Sequence, residues 1–336
     1  MTNLLYIGNK LSQKGKTKTT IETMGSLLEK EGFSVHISSS KQNKLIRLCD
    51  MLFSVVRHRN SVDYVLIDTY STSNFYYAYL TSQLCRWFKL KYMPILHGGN
   101  LPKRLKGFPK MSVQIFENAF KNVAPSLYLY AHFKQAGFTN LEYIPNNIAI
   151  KNYVFKMRPI DEVKLLWVRS FSKFYNPQLA VRLLKALKDE GIKASLCMIG
   201  PDNDGSLSKT KELARALQVD VEFTGLLSKE DWHNKARDFN IFINTTNIDN
   251  TPVSVIEAMA LGLPIISTNV GGMPYLIEHG VDGILLEPNN LDAFKLAVKH
   301  FINNEEVTKE MCIKARQKVE QFDWNIVKEK WKALLC

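Results

Sequence analysis

The sequence predicts an α/β chain made of two doubly wound domains, each a parallel sheet with helices on both faces. Three observations predict this. Short apolar strand patterns alternate with amphipathic helix patterns along nearly the whole chain, which favours parallel sheets. The alternation restarts at VKLLWVRS, after the polar, proline-broken stretch KNYVFKMRPIDE, which reads as a linker. At 336 residues, the chain is long enough for two cores of ordinary size.

The elements follow in order. The first half opens with an apolar strand over residues 4–7, then a polar loop, a helix over about 20–31 and the strand SVHISS. VDYVLIDTY, YMPILHGG, KNVAPS and LEYIPNN are the clearest later strands. The second half runs through VKLLWVRS, a helix over 177–190, ASLCMIG, a helix over 208–217, VEFTG, a helix near 229–237 and IFINTT. The tail VEQFDWNIVKEKWKALL has apolar residues at 322, 324, 326, 327, 331, 334 and 335, a spacing that puts one stripe on a helix. The expected division is 1–155, 156–318 and a crossover helix over 319–336 that packs back towards the first domain. On sheets of this kind, ligands bind beyond the carboxyl ends of the strands.

Composition narrows the classes. A hydrophobic fraction of 46% and a charged fraction of 23% are ordinary for globular proteins. No apolar run reaches the roughly 18 residues of a membrane span. The start, MTNLLYIGNK, enters a strand pattern directly and lacks the order of a signal peptide. The five cysteines are scattered without a CxxC spacing, so neither a disulfide framework nor a metal site is expected. A reduced, cytoplasmic protein is the expectation. Residues 1–155 carry 20 Lys/Arg against 8 Asp/Glu, whereas 156–336 carry 24 of each. The whole excess of +12 therefore lies in the first half and calls for an anionic partner there, such as a membrane surface or a phosphorylated substrate. No zinc finger, ribonucleoprotein motif or heptad-linked basic helix is present, so nucleic acid is not expected.

The richest stretch is DNTPVSVIEAMALGLPIISTNVGGMPYLIEHGVDG, residues 249–283. It reads as a loop, a helix, a tight turn, a buried strand and a glycine pair opening another helix. Asp249 and Glu257 bracket the first loop–helix unit. The free amides at a helix N-terminus suit a phosphate, and a carboxylate nearby suits the vicinal hydroxyls of a ribose. One segment thus offers handles for both parts of a nucleotide. The same two carboxylates could instead form the acid and nucleophile of a glycosidase, but the helical, glycine-rich setting favours nucleotide binding. The loop GNKLSQKGKTKTT places six residues between Gly8 and Gly15 rather than four, so the phosphate-loop template of nucleotide hydrolases fails. No GxGxxG follows a strand, which leaves a nicotinamide cofactor unsupported.

These motifs resemble the family 4 glycosyltransferases, retaining enzymes of the group 1 type. The resemblance rests on Asp249-x7-Glu257 within DNTPVSVIEAMALGLP, on STNVGGMPYLIEHGVDGILLEP, on WVRSFSKFYNP, and on CMIGPDNDG and VEFTGLLSKEDW. In the first half, ILHGG, NVAPSLYLYAHFKQAGF and YIPNNI follow the family's order. It is strong over about 164–325 and weaker before 90. It implies the GT-B fold, with two Rossmann-like domains facing across a cleft. Two departures stand out. The first acid is Asp249 where the family usually has Glu, and the Arg169–Lys173 spacing of four is compact.

The resemblance also implies roles. Arg169 and Lys173 would stabilise charge on the departing diphosphate, helped by backbone donors over Thr251, Pro252, Val253 and Ser254. Glu257 would bind the ribose and Asp249 the donor sugar's hydroxyls. Gly200 would border the nucleotide, and Gly15 would lie beside the donor phosphates. His97, in ILHGGN at a strand end, would sit near the donor sugar and the acceptor hydroxyl, where Gly98 and Gly99 leave room. No protein nucleophile is implied; the departing phosphate would help to deprotonate the acceptor. No permanent cofactor and no metal are expected. The co-substrate would be a UDP-sugar, with a GDP-sugar as the alternative. The acceptor would be a glycan, best matched by a lipid-linked one, in cell-surface polysaccharide or lipopolysaccharide assembly. Two basic–aromatic segments, QLCRWFKLKYM and the loop HGGNLPKRLKGFPK, suit anionic lipid, which would place the enzyme peripherally on the inner face of the membrane. A soluble transferase with a small or protein acceptor, and a catalytically silent binding module, are the competing readings.

Overall fold

The computed structural model describes residues 1–10 and 20–336. The chain divides into two compact units. Unit 1 comprises Met1–Asn146 with Asn325–Cys336, and unit 2 comprises Asn147–Trp324.

Unit 1 holds strands β1 (Asn3–Ile7), β2 (Ser34–Ser38), β3 (Tyr64–Thr69), β4 (Lys91–Leu96), β5 (Asn122–Ala124) and β6 (Leu141–Tyr143). All pair in parallel in the order β2-β1-β3-β4-β5-β6. The helices between them are α1 (Thr20–Lys30), α2 (Lys44–His58), α3 (Asn74–Trp87), α4 (Leu101–Gly107), α5 (Pro109–Phe116) and α6 (Leu127–Gln135). Leu5, Ile7, Val65 and Ile67 pack against Met51 and Val55 of α2 and Ala78 and Cys85 of α3. The alternate positions Leu4, Tyr6 and Leu66 are buried as well. Both faces of the sheet are therefore covered, which is why these strands read as continuous apolar runs.

One expectation is corrected here. HGGNLPKRLKGFPK reads as a loop, but its centre folds as α4, and Pro109 opens α5. Proline suits the first helical turn, where its missing N–H costs no bond. Arg104 of α4 donates to the Ser71 carbonyl at 2.7 Å and lies 4.6 Å from the Phe108 ring centroid, which ties the basic segment down.

Unit 2 holds β7 (Val163–Val168), β8 (Ala194–Ile199), β9 (Glu222–Gly225), β10 (Ile241–Asn244), β11 (Ile265–Thr268) and β12 (Ile284–Leu286), in the parallel order β12-β11-β10-β7-β8-β9. Its helices are α7 (Pro177–Asp189), α8 (Ser206–Ala216), α9 (Lys229–Lys235), α10 (Val253–Ala260), α11 (Met273–Leu276), α12 (Leu291–Asn303) and α13 (Glu305–Glu320). Strand side chains alternate between two cores. Val163, Leu165 and Trp167 of β7 join α7 and α12 on one face, and Leu166 joins α10 on the other.

The tail folds as α14 (Trp324–Leu335), separated from α13 by a turn at residues 321–323, so the helical pattern expected to run from 319 is interrupted. The cause is a pair of ties within unit 2. The Ile148 carbonyl accepts from Trp324 N at 2.9 Å, and the Asp323 carboxylate accepts from Ile150 N at 2.8 Å. Residues 147–155, which were expected in the first domain, thus fall in unit 2, whose boundary precedes the expected linker. Beyond Trp324, Lys328 and Lys332 pair with Glu31, just after α1, at 3.3 and 2.7 Å, within unit 1. Among the described residues, no helix is long and apolar enough to cross a membrane.

Candidate functional site

The carboxyl ends of β7, β8, β10 and β11 carry the loops that the sequence singled out. Arg169 follows β7, and its amide continues the ladder by donating to the Ile199 carbonyl at 3.0 Å. Gly200, which follows β8, has φ +150°, and a Cβ there would collide with the Arg169 carbonyl. This close approach is what demands glycine. The Arg169 guanidinium lies 4.3 Å from the Tyr175 ring centroid and forms an ion pair with the Asp249 carboxylate. Asp249 is buried, and its second oxygen accepts from the Asn250 amide at 2.9 Å. Gly271 and Gly272 lie so close that Cβ atoms on them would run into the carbonyls of Asp249 and Asn250, and Gly272 N donates to Asp249 O at 3.1 Å. The glycine pair thus clamps the acidic loop.

From Asp249 the chain passes through Thr251 and Pro252 into α10. Pro252 is extended (φ −70°, ψ 124°), and its carbonyl accepts from Val255 N and Ile256 N at 3.1 and 3.3 Å. Among the described residues, the amides of Val253 and Ser254 make no backbone hydrogen bond, as expected for a first turn. The Ser254 hydroxyl and Arg169 Nε are buried and without hydrogen-bond partners among the described residues. Buried donors left unpaired cost stability; Ser254 lies in the first turn of α10, and Arg169 pairs with Asp249 in the loop that leads into it.

Glu257 is 3% exposed. Its Oε1 accepts from the Tyr153 hydroxyl at 2.8 Å and the Lys229 ammonium at 2.7 Å, while Oε2 makes no hydrogen bond among the described residues. His233 Nε2 lies 3.8 Å from Oε1, too far for a hydrogen bond, and is itself buried and unpaired among the described residues. Burial pushes the Glu257 carboxyl up, but His233, Lys229 and Tyr153 outweigh it and hold the pKa below the usual carboxylate value. Burial first, and Glu257 second, push the Tyr153 hydroxyl up. The result is a charged carboxylate with one oxygen already held and the other able to accept.

The structure therefore brings Arg169 and Asp249 into contact, packs Gly200 on Arg169, and links both to Glu257 through residues 251–254. Lys173 stands differently. It opens a 3-10 turn (Lys173–Tyr175), its side chain is exposed, and it makes no ion pair among the described residues. Its amide donates to Asp204 at 3.1 Å. Hydrogen bonds from Ser206 and from that amide bring the Asp204 carboxyl down to about 2, so Asp204 fastens the Lys173 turn. Gly15 lies outside the described residues. His97 belongs to unit 1, where its Nε2 is 2.8 Å from Asp68 Oδ1, its ring stacks on Tyr70, and Tyr6 OH donates to the same Asp68 oxygen at 3.0 Å.

Several of these partners escaped the sequence reading. Asp68 was findable, as the one acidic residue near the carboxyl end of the otherwise largely apolar β3. Tyr153, Lys229 and His233 left no such signal, since they come from a linker and a short helix distant in the chain.

Residues 154–318 match the sequence profile of glycosyl transferases group 1. They belong to that family. The glycosyltransferase stretch takes in Arg169, Gly200, Asp249 and Glu257 together. An uncharacterised glycosyltransferase of Haemophilus influenzae is 26% identical over 192 residues, 57% of this chain and 53% of its own. The amylovoran biosynthesis glycosyltransferase AmsK of Erwinia amylovora is 27% identical over 155 residues, 44% of this chain and 38% of its own. The chain thus spans about half the length of the first relative and less of the second. Among solved structures, Anabaena HepE in complex with UDP and glucose matches with a TM-score of 0.77 at 17% identity, over 99% of each chain. That likeness shows the fold, and the expected GT-B class stands.

Proposed function

We propose that the chain is a retaining glycosyltransferase that moves a sugar from a nucleoside-diphosphate donor to a glycan acceptor. The observation that carries this is two unpaired buried donors, Nε of the Arg169 that pairs with Asp249 and Oγ of Ser254 in the first turn of α10, the helix that also carries the ionised Glu257. An anionic diphosphate supplies the missing partners of those donors. A ribose diol supplies a donor for Glu257 Oε2. As the bond between the anomeric carbon and the phosphate oxygen breaks, negative charge grows on the departing diphosphate. Arg169, the Val253 and Ser254 amides and the exposed Lys173 are the groups that stabilise it. Asp249 holds Arg169 in place and faces the donor sugar. Gly200 lets backbone pass close to the nucleotide. The acceptor hydroxyl loses its proton to the departing phosphate as its oxygen bonds to the anomeric carbon. His97, oriented by Asp68, keeps the acceptor-side role that the resemblance gives it.

HepE binds UDP, and AmsK serves amylovoran biosynthesis. The first supports a UDP-sugar donor and the second a role in polysaccharide assembly, for which a lipid-linked acceptor is the reading adopted here. The basic first half suits peripheral attachment to the cytoplasmic face of an anionic membrane.

The test is a thermal-shift screen against UDP-, GDP-, ADP-, CMP- and dTDP-sugars and the free nucleotides. Ligand at about 100 times its dissociation constant adds roughly 2.7 kcal/mol, enough to move the melting curve. Stabilisation by UDP-sugars that disappears in Glu257→Ala is the expected result. Stabilisation by GDP-sugars alone would reassign the base. No stabilisation by any nucleotide would reject the donor site.

A further inference from the structure

We propose that α2 and α3 of unit 1 together form a face that seats on an anionic membrane surface by shallow insertion of apolar side chains. On α2, Leu45, Cys49 and Phe53 recur every four residues and are all exposed, Leu45 at 74% and Phe53 at 62%. On α3, Tyr76, Leu80 and Trp87 share one helical face and are exposed, Trp87 at 79%. The outer face of a helix packed on a sheet is normally polar, so two apolar outer stripes need an occupant. The stripes belong to one surface. Tyr77 OH of α3 donates to the Lys44 carbonyl at the start of α2 at 3.0 Å. At the other end, the Arg59 guanidinium lies 5.5 Å from the ring centroid of Phe88, which stacks on Trp87. The two helices therefore run side by side in the same direction.

Charge chooses the occupant. Arg57, Arg59, Arg86 and Lys89 collect where the two helices end. The acidic residue within α2 and α3, Asp50, is half-buried beside Ser38. A second copy of the chain would bring two such basic clusters together, which opposes self-association. An anionic lipid surface instead rewards each Lys or Arg near it by about fivefold in partitioning. Apolar side chains rimmed by cations are also the composition of interfacial helices, which sit about 5–10 Å into the headgroup layer. The face specifies the membrane contact included in the proposed function, and it is independent of the donor chemistry of unit 2.

Trp87 provides the readout. The other four tryptophans, Trp167, Trp232, Trp324 and Trp331, are 8% exposed or less, so quenchable emission reports on this face. The whole chain is mixed with vesicles of phosphatidylcholine, with and without phosphatidylglycerol. Emission should shift to the blue and acrylamide quenching should fall with anionic vesicles only, and both effects should weaken as salt rises. Leu45→Ser with Phe53→Ser should lower vesicle partitioning about tenfold or more, with the nucleotide thermal shift of unit 2 as a control for folding. Unchanged Trp87 emission and quenching in anionic vesicles overturns the proposal. So does a change that depends on protein concentration without vesicles, which would mark a self-interface. Equal binding to neutral vesicles overturns the role of charge. Because Trp87 is read in the native chain, the outcome stands even if the double variant does not fold.

Discussion

The Arg169 guanidinium and the Asp249 carboxylate, 80 positions apart in the chain, meet as an ion pair beyond the ends of the neighbouring strands β7 and β10. The acid orients the cation that the proposed reaction needs. Replacing Asp249 with Asn keeps the shape and removes the charge, leaving a half-buried guanidinium without its counterion. We expect a loss of about 1.5–3 kcal/mol, read from urea unfolding as a lower midpoint at unchanged slope. Asp249→Glu should retain most of the stability. A neutral Asp249→Asn would show that the pair does not hold Arg169.

Glu257 is where the nucleotide reading is most exposed to test. Glu257→Ala should weaken UDP binding by roughly 1.5–3 kcal/mol, about 10–150-fold, because a ribose hydroxyl loses a charged acceptor. Calorimetric titration with UDP and with its 2′-deoxy analogue checks this, since the penalty of the mutation should shrink for the analogue. Equal penalties would remove Glu257 from the ribose. Tyr153→Phe should cost less affinity, because Lys229 still holds Oε1.

The lowered pKa of Glu257 has a pH signature. A carboxyl whose folded pKa lies below its unfolded value contributes stability that is fully present above the unfolded value, about 4.3, and is lost as pH falls through the folded one. The native chain should therefore lose stability between neutral pH and about 4 more slowly than below it. Glu257→Gln should show a shallower acid limb in melting curves from about pH 5 to pH 3. Parallel limbs would mean that the carboxylate gains nothing from Lys229 and its neighbours.

The glycine pair separates close packing from backbone freedom. Gly272 has an ordinary negative φ of −86°, yet a Cβ there would run into the Asn250 carbonyl, whereas a Cβ on Gly107 meets nothing within 4 Å. Gly272→Ala should thus cost about 1–3 kcal/mol and displace the acidic loop, with reduced nucleotide binding. Gly107→Ala, within α4, should be neutral or slightly stabilising. Chemical denaturation of the two variants side by side decides it, and equal effects would reject the clamp.

Much of this was legible in the chain. The order of strands and helices followed from apolar periodicity, because parallel strands buried on both faces leave apolar runs such as LLWV within β7 and LCMI within β8. The spacing of Asp249 and Glu257 was equally readable, since one loop and one helix carry both. Where the reading slipped, competing local signals were at work. HGGNLPKRLKGFPK carries two prolines and three glycines and looks like a loop, yet both prolines sit in helical first turns.

Strand and helix content, the two-sheet class, the charge asymmetry and the acidic motif are local or compositional properties, so the residues alone settle them. The pairing of Arg169 with Asp249, of Glu257 with Tyr153 and Lys229, of Asp68 with His97, and the alignment of two apolar stripes on α2 and α3 arise from folding. Each joins segments that become neighbours only when parallel strands order themselves in a sheet and helices settle on its faces. Sequence spacing carries no record of that order, because hydrogen-bonded strands place residues tens of positions apart within a few ångströms of one another.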